Sequence, residues 1–422
     1  MKITYIRSRQ IFDSRGNPTI ETDIMLNNKY FGRTAVPSGA SKGIHEALEL
    51  RDNSEEYYGK GVLKAVARIN GEIRSKILNV SFQSQKEIDD FLIKLDGTNN
   101  KSNLGANTIL SISIAFTKAK AESMSKHLFQ TITESENEFT LPKPMLNIIN
   151  GGVHADNGLD IQEFMIVPIK YHEISQNLKV ACEIFHNLGK ILQEDSYKVN
   201  TGDEGGFAPN IKSTNHALDL IVRATEVAGY NLEKDVCLAL DVAANEIYKN
   251  GKYQLNGEEK EFNNIELINF YENLCNRYPI ISIEDPLSEK DIEGWKMITN
   301  KLGNKIKIVG DDLFVTNPKR LQKGIDNKLA NSILIKMNQI GTLSETLETI
   351  NLAKKHHFAN IISHRSGETE DTTIAHLAVA TNAPYIKTGS ISRTDRVCKY
   401  NELIRIEEVI FSTRFKKYRQ IK

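Results

Sequence analysis

Three acidic residues stand at the ends of three successive apolar runs in the second half of the chain. Cys237-Leu238-Ala239-Leu240 leads to Asp241, Ile280-Ile281-Ser282-Ile283 to Glu284, and Ile306-Lys307-Ile308-Val309-Gly310 to Asp311. Hard divalent cations take oxygen ligands, and Mg²⁺ usually combines a few carboxylates with water and substrate oxygens. Three acids brought together without a cation repel one another and raise their own pKa values. They form a candidate metal set; the competing reading pairs them with lysines. The next three runs end in cations: Lys336, then His364-Arg365-Ser366, then Lys387. Arg grips carboxylate or phosphate as a fork, whereas Lys acts as a point charge. A pocket acidic on one side and cationic on the other fits a small, highly anionic substrate. Lys336 and Lys387 are expected to depress each other's pKa, which would make one of them usable as a base.

Two glycine-rich segments lie upstream. Asn150-Gly151-Gly152-Val153-His154 holds a histidine, and Thr201-Gly202-Asp203-Glu204-Gly205-Gly206 holds two acids between glycines. Glycine pairs permit close backbone approach to a ligand. Taken singly, such a loop acid is usually solvated and such a histidine structural. Other chemistries lack their signatures: the chain has no phosphate-binding P-loop, no G-x-S-x-G elbow and no C-x-x-C pair. His45-Glu46-Ala47-Leu48-Glu49 lacks the second histidine of a zinc-protease helix and reads as an amphipathic segment.

The elements that must carry these residues follow from their spacing. The six run ends are 43, 27, 25, 28 and 23 residues apart. A strand, a helix and two loops take about 25–30 residues, so the second half reads as a β/α barrel with its functional residues at the strand C-termini. Between them, Thr342-Leu343-Ser344-Glu345 has the form of a capping box, and Leu343, Leu347, Ile350 and Ala353 then share a helical face. The first part differs. Ile20, Thr22, Ile24 and Leu26 alternate as on a half-buried strand ending at an Asn27-Asn28 turn, whereas Ile109, Ile112, Phe116 and Ala119 recur at helical spacing. A polar, acidic stretch before Leu141-Pro142-Lys143-Pro144 marks a junction. The expected division is an N-terminal α+β domain over 1–135 and a barrel over 136–422.

The bulk composition agrees. Hydrophobic residues are 40% and charged residues 26%, as in globular proteins. Lys plus Arg and Asp plus Glu are both 54, so the basic excess of a non-specific nucleic-acid binder is missing. Four scattered cysteines, an N-terminus that meets charge early, and no apolar run of membrane-spanning length predict a cytoplasmic protein without a membrane or nucleic-acid partner.

The ordered set of motifs resembles the enolase family from about residue 3 to about residue 408. The match includes Phe12-Asp13-Ser14-Arg15-Gly16-Asn17-Pro18-Thr19, Pro37-Ser38-Gly39-Ala40-Ser41, Leu104-Gly105-Ala106-Asn107 and Gln162-Glu163-Phe164-Met165. It continues through Ser282-Ile283-Glu284-Asp285-Pro286, Gly310-Asp311-Asp312-Leu313, Lys336-Met337-Asn338-Gln339-Ile340-Gly341-Thr342, Ser363-His364-Arg365-Ser366-Gly367-Glu368-Thr369 and Lys399-Tyr400-Asn401. The resemblance implies an α/β fold: a TIM-like, enolase-type barrel whose first strands are antiparallel, capped by a smaller N-terminal α+β domain. It further implies reversible dehydration of 2-phospho-D-glycerate to phosphoenolpyruvate. Lys336 would be the base and Glu204 the acid, which requires a neutral Lys336 and a protonated Glu204, with Glu163 sharing the proton. Asp241, Glu284 and Asp311 would hold one Mg²⁺. Ser41 would bind a second that enters with substrate. Arg365 and Ser366 would take the phosphate, with Gln162, His154, His364 and Lys387 around the substrate. Family members commonly form homodimers.

Five residues depart from the family's usual pattern: Lys42 for Thr, Met337 for Val, Ser363 for Gly, Asn245 for Ser and Cys398 for Ala. Met337 is expected on the opposite strand face from Lys336. Lys42 places a new cation on the loop beside Ser41. It motivates one alternative, a paralogue acting on a phosphonate or related phosphorylated acid. A non-catalytic binding protein on the same fold is a second, and such a protein need not keep both Glu204 and Lys336, which are present.

Overall fold

The computed structural model describes residues 1–39, 43–133, 138–211 and 213–420, with side chains described as far as 412. Ser41, Lys42 and the expected division at 135/136 therefore lie outside the described residues.

The chain opens with an antiparallel sheet of β1 (Ile3–Phe12), β2 (Pro18–Leu26) and β3 (Tyr30–Ala35). Asn27 and Asn28 both have positive φ, 52° and 57°, so the β2–β3 hairpin is closed by a turn that asparagine tolerates. Ile20, Ile24 and Leu26 face inward with Ile3 and Ile6, against Ile109, Ile112 and Phe116 of the helix Ala106–Ser123. That helix lies so close to β3 that a Cβ at Gly32 would run into the Ala115 carbonyl.

A closed barrel follows. It comprises β4 (Lys143–Asn150), β5 (Glu163–Pro168) and β6 (Val236–Asp241), then β10 (Ile280–Glu284), β11 (Lys307–Gly310), β12 (Ser332–Ile335), β13 (Ala359–Ser363) and β14 (Tyr385–Lys387). A small antiparallel sheet of β7 (Tyr248–Lys249), β8 (Lys252–Leu255) and β9 (Lys260–Phe262) interrupts the order after β6. This insertion accounts for the long first gap between run ends. Pairing of β5 is antiparallel with both β4 and β6, and the remaining barrel pairs are parallel. Inside the barrel, Met145, Met165, Val167, Ala239, Val309, Leu334 and Ile361 pack together, while neighbouring strand residues such as Leu146, Ile166 and Leu240 join the core beneath the outer helices. This two-sided burial is why the strands read as continuous apolar runs.

Two local expectations are modified. Thr342 caps the helix Leu343–Lys355 by accepting from the Glu345 amide at 3.1 Å. Glu345, however, takes the Thr342 hydroxyl and Lys101 instead of closing the box on the Thr342 backbone. Met337 begins a one-turn helix, Met337–Ile340, rather than continuing the strand. It is buried in the outer core, so helical geometry and not strand alternation turns it away from the site.

The N-terminal region is fastened to the barrel rim at several points. Ser38 and Gly367 exchange backbone hydrogen bonds at 2.8 and 2.9 Å, and Lys118 pairs with Asp371 at 2.6 Å. Buried Asp89 accepts from the amide and hydroxyl of Ser344 at 3.0 and 2.6 Å. Among the described residues no helix is long and apolar enough to cross a membrane.

Candidate active site

Every parallel strand runs toward the same rim, so their last residues meet there. Asp241, Glu284 and Lys387 are terminal residues of β6, β10 and β14, and Asp311, Lys336 and His364 directly follow β11, β12 and β13. Because β5 is reversed, its first residue, Glu163, reaches the same rim, in register with Asp241, which is in turn in register with Glu284. His154 ends a short helical turn after β4, and Glu204 lies on the glycine loop. His154, Gln162, Glu163, Glu204, Asp241, Asp311, Lys336, His364, Arg365, Ser366 and Lys387 all line one pocket. Glu284 lies behind Lys387 rather than on the pocket wall.

The acids and lysines interlock. Lys387 Nζ lies 2.8 Å from Asp241 Oδ2, 2.9 Å from Glu284 Oε2 and 3.1 Å from Glu163 Oε1, with every partner buried. Lys336 Nζ lies 2.5 Å from Asp311 Oδ2, whose other oxygen accepts from Gln339 at 2.8 Å. The ion-paired reading of these acids is therefore what the side chains adopt. Burial pushes the Glu284 carboxyl well up, reinforced by Asp241 and Asp311. Burial also opposes ionisation of Asp311, but Lys336, Arg365 and Gln339 together outweigh it and hold that carboxyl down.

Lys387 does push the Lys336 pKa down, as expected, but neighbouring carboxylates prevail over it. Burial, Arg365 and Lys387 favour neutral Lys336, yet Asp311 and Glu284 together prevail, and the pKa rises. Lys387 likewise sits well above its usual range against burial, owing to Asp241, Glu163 and Glu284. Each lysine is in direct contact with carboxylate, so attraction wins.

The opposite wall holds a carboxylate pair. His154, Glu163 and Glu204 each offer one ligand atom within 4.8 Å of the others. Burial pushes Glu163 well up, and the charge on Glu204 adds to it. For Glu204 burial acts the same way, but His364, His154 and Arg396 outweigh it and hold the group well below the usual range. With the two carboxyls shifted in opposite directions, the pair retains one proton between them. Such a pair titrates as a unit. Glu204 Oε1 is 3.2 Å from His364 Nε2, and Oε2 accepts from Asn147 Nδ2 at 3.2 Å.

Sequence reading missed several participants. Glu46, dismissed as part of an amphipathic segment, is buried and forms a two-pronged pair with Arg365: Oε2 to Nη1 at 3.0 Å and Oε1 to Nη2 at 3.1 Å. Asn338 Oδ1 accepts a further Nη1 bond at 3.2 Å. The other edge of the guanidinium lies against Gly39, where a Cβ would collide with it. Asp285 receives the Asp311 and Asp312 amides at 2.8 and 2.9 Å and so shapes the loop that presents Asp311. Asn245 donates to Asp312 at 2.8 Å. Asp285 and Gln339 lay inside the quoted motifs, but nothing local assigned them a task; Glu46 had no signal beyond its chain position.

Comparison with known proteins places this architecture. Residues 3–132 match the model for the enolase N-terminal domain, and residues 138–420 match that for the enolase C-terminal TIM barrel domain. The enolase of Ehrlichia ruminantium (strain Welgevonden) is 53% identical over 411 residues, covering 97% of each chain. With both domain models matched in order and this identity sustained across nearly its whole length, the chain belongs to the enolase family.

Proposed function

We propose that this chain is a hydro-lyase that interconverts 2-phospho-D-glycerate and phosphoenolpyruvate in glycolysis and gluconeogenesis, using Mg²⁺. The observation that carries the proposal is a pocket with the part-buried Lys336 on one wall, the buried Glu163–Glu204 pair on another and Arg365 with Ser366 at its edge. A base, an acid and an anion receptor are the parts that β-elimination of water from a phosphorylated acid requires.

Asp241, Glu284 and Asp311 suit a hard cation. All are buried oxygen donors, Lys387 already supplies positive charge between two of them, and Glu284 Oε1 is buried with no hydrogen-bond partner. Mg²⁺, when bound, stabilises the charge that develops on the substrate carboxylate. A second ion, entering with substrate, is assigned to Ser41.

Arg365 and Ser366 hold the phosphate, while His154, Gln162, His364 and Lys387 fix the remaining substrate oxygens. Burial, Arg365 and Lys387 all favour neutral Lys336, opposed by Asp311 and Glu284, two of the residues that would hold the ion. Lys336 takes the C2 proton. The single proton of the Glu163–Glu204 pair passes through Glu204 to the C3 hydroxyl, which leaves as water. The same reading makes the protein a cytoplasmic homodimer, which sedimentation and fractionation would test.

The deciding experiment is ultraviolet detection of enol phosphate formed from 2-phosphoglycerate, with and without Mg²⁺. Turnover that needs Mg²⁺ and disappears in Lys336→Ala supports the proposal. A folded, Mg²⁺-loaded protein that leaves 2-phosphoglycerate untouched overturns it, and preferential turnover of a phosphonate analogue transfers the chemistry to another substrate.

A further inference from the structure

Arg396 is fully buried in the first turn of the helix starting at Thr394. That is a poor place for a cation, because the N-terminal end of a helix carries partial positive charge. Three backbone carbonyls receive it: Nη1 donates to Arg365 O at 2.5 Å, and Nη2 donates to Ser366 O at 2.6 Å and Asp203 O at 3.2 Å. Asp395 pairs with its Nε at 2.8 Å. Residues that break a local rule in this way concentrate at functional sites.

Its remaining contact is chemically informative. Arg396 Nη1 lies 2.5 Å from His364 Nδ1. A guanidinium has donors only, so Nδ1 must be the acceptor and can carry no proton. A neutral imidazole with a bare Nδ1 carries its proton on Nε2. That atom is the one 3.2 Å from Glu204 Oε1, in a direction not yet aligned for a full hydrogen bond. Burial, aided by the Arg396 charge, holds His364 down to about 3, which keeps the ring neutral.

We propose that Arg396 is a positioning residue that fixes the His364 tautomer and so aims an Nε2–H donor at Glu204. The guanidinium is itself held in place by its bonds to the Arg365, Ser366 and Asp203 carbonyls. The catalytic part of this inference rests on the proposed role of Glu204; the tautomer does not.

The test has two arms. In histidine-selective ¹⁵N spectra of the wild-type protein, with His364 assigned through the signal missing in His364→Asn, the expected pattern is a bare Nδ1 and a protonated Nε2. A proton on Nδ1, or on both nitrogens, overturns the proposal regardless of any turnover. In the second arm, Arg396→Lys keeps the charge but cannot reproduce the fork. We expect kcat to fall about tenfold to a hundredfold, the scale of slight misplacement of a catalytic group, with KM little changed. Combined with His364→Ala, it should cost no more than His364→Ala alone, because Arg396 acts through His364. An additive double variant means a merely structural role and overturns the proposal. If Arg396→Lys fails to fold, the wild-type spectrum still decides.

Discussion

Truncating Glu46 should be among the most costly single changes in the N-terminal region, although composition marks it as an ordinary charge. Glu46 contributes two hydrogen bonds to a guanidinium that is 4% exposed. Removing one member of a buried ion pair costs about 3–5 kcal/mol, mainly because the other charge is left uncompensated. Glu46→Ala removes the carboxylate that takes both prongs of Arg365, and Gly43 and Gln339 lose the acceptor they also share. We therefore expect a loss of about 3 kcal/mol or more. Glu46→Gln keeps one acceptor and should lose less. The assay is urea unfolding by circular dichroism at neutral pH, on both single variants, on Arg365→Ala and on the double alanine variant. The double variant should be less destabilised than the sum of the singles, since no orphaned charge remains. A Glu46→Ala loss under about 0.5 kcal/mol, typical of a surface site, or strict additivity, would refute the reasoning.

Three other perturbations probe separate parts of the molecule. Gly32→Ala drives a Cβ into the Ala115 carbonyl; overpacking of this kind costs about 1–3 kcal/mol, and an unchanged urea midpoint would show that the helix can retreat. Glu402 is held down to about 2, chiefly by its hydrogen bond to His376, with Arg405 adding to it. A carboxyl lowered in the folded state stabilises above its unfolded pKa of about 4.3 and loses that contribution as pH falls toward about 2. The stability gap between wild type and Glu402→Gln should therefore close between about pH 5 and pH 2; a constant gap contradicts the pairing. Excess Mg²⁺ at about a hundred times its dissociation constant should stabilise the protein by about 2.7 kcal/mol. Glu284→Gln should abolish most of that gain in thermal melts, and an undiminished gain would move the ion elsewhere.

The match between sequence and structure was closest where information is local. Apolar runs ending in a charged residue became barrel strands because a strand buried on both faces must be apolar and must end where solvent begins. Asn27 and Asn28 were readable as a turn, since few other side chains tolerate positive φ. Met337 and the Thr342 box were misread in detail: a strand-end lysine followed by a tight helical turn looks, in sequence, like a strand that continues. The reversed β5, which brings Glu163 to the mouth, came from the resemblance and not from its residue pattern.

By itself the sequence determined which residue types gather at the barrel mouth and the order in which they arrive, because regular spacing of run ends obliges their convergence. Tertiary structure alone decided their state. Whether Lys336 is charged, whether the proton of the carboxylate pair sits on Glu163 or Glu204, and which nitrogen of His364 carries hydrogen depend on separations of 2.5–3.8 Å. Electrostatic energies change steeply over such distances in a buried site, and the deciding partners are remote in sequence: Asp311 for Lys336, Arg396 for His364 and Glu46 for Arg365. No periodicity records those pairings. They exist only because the fold presses an N-terminal segment, a barrel rim and a late helix onto one small volume.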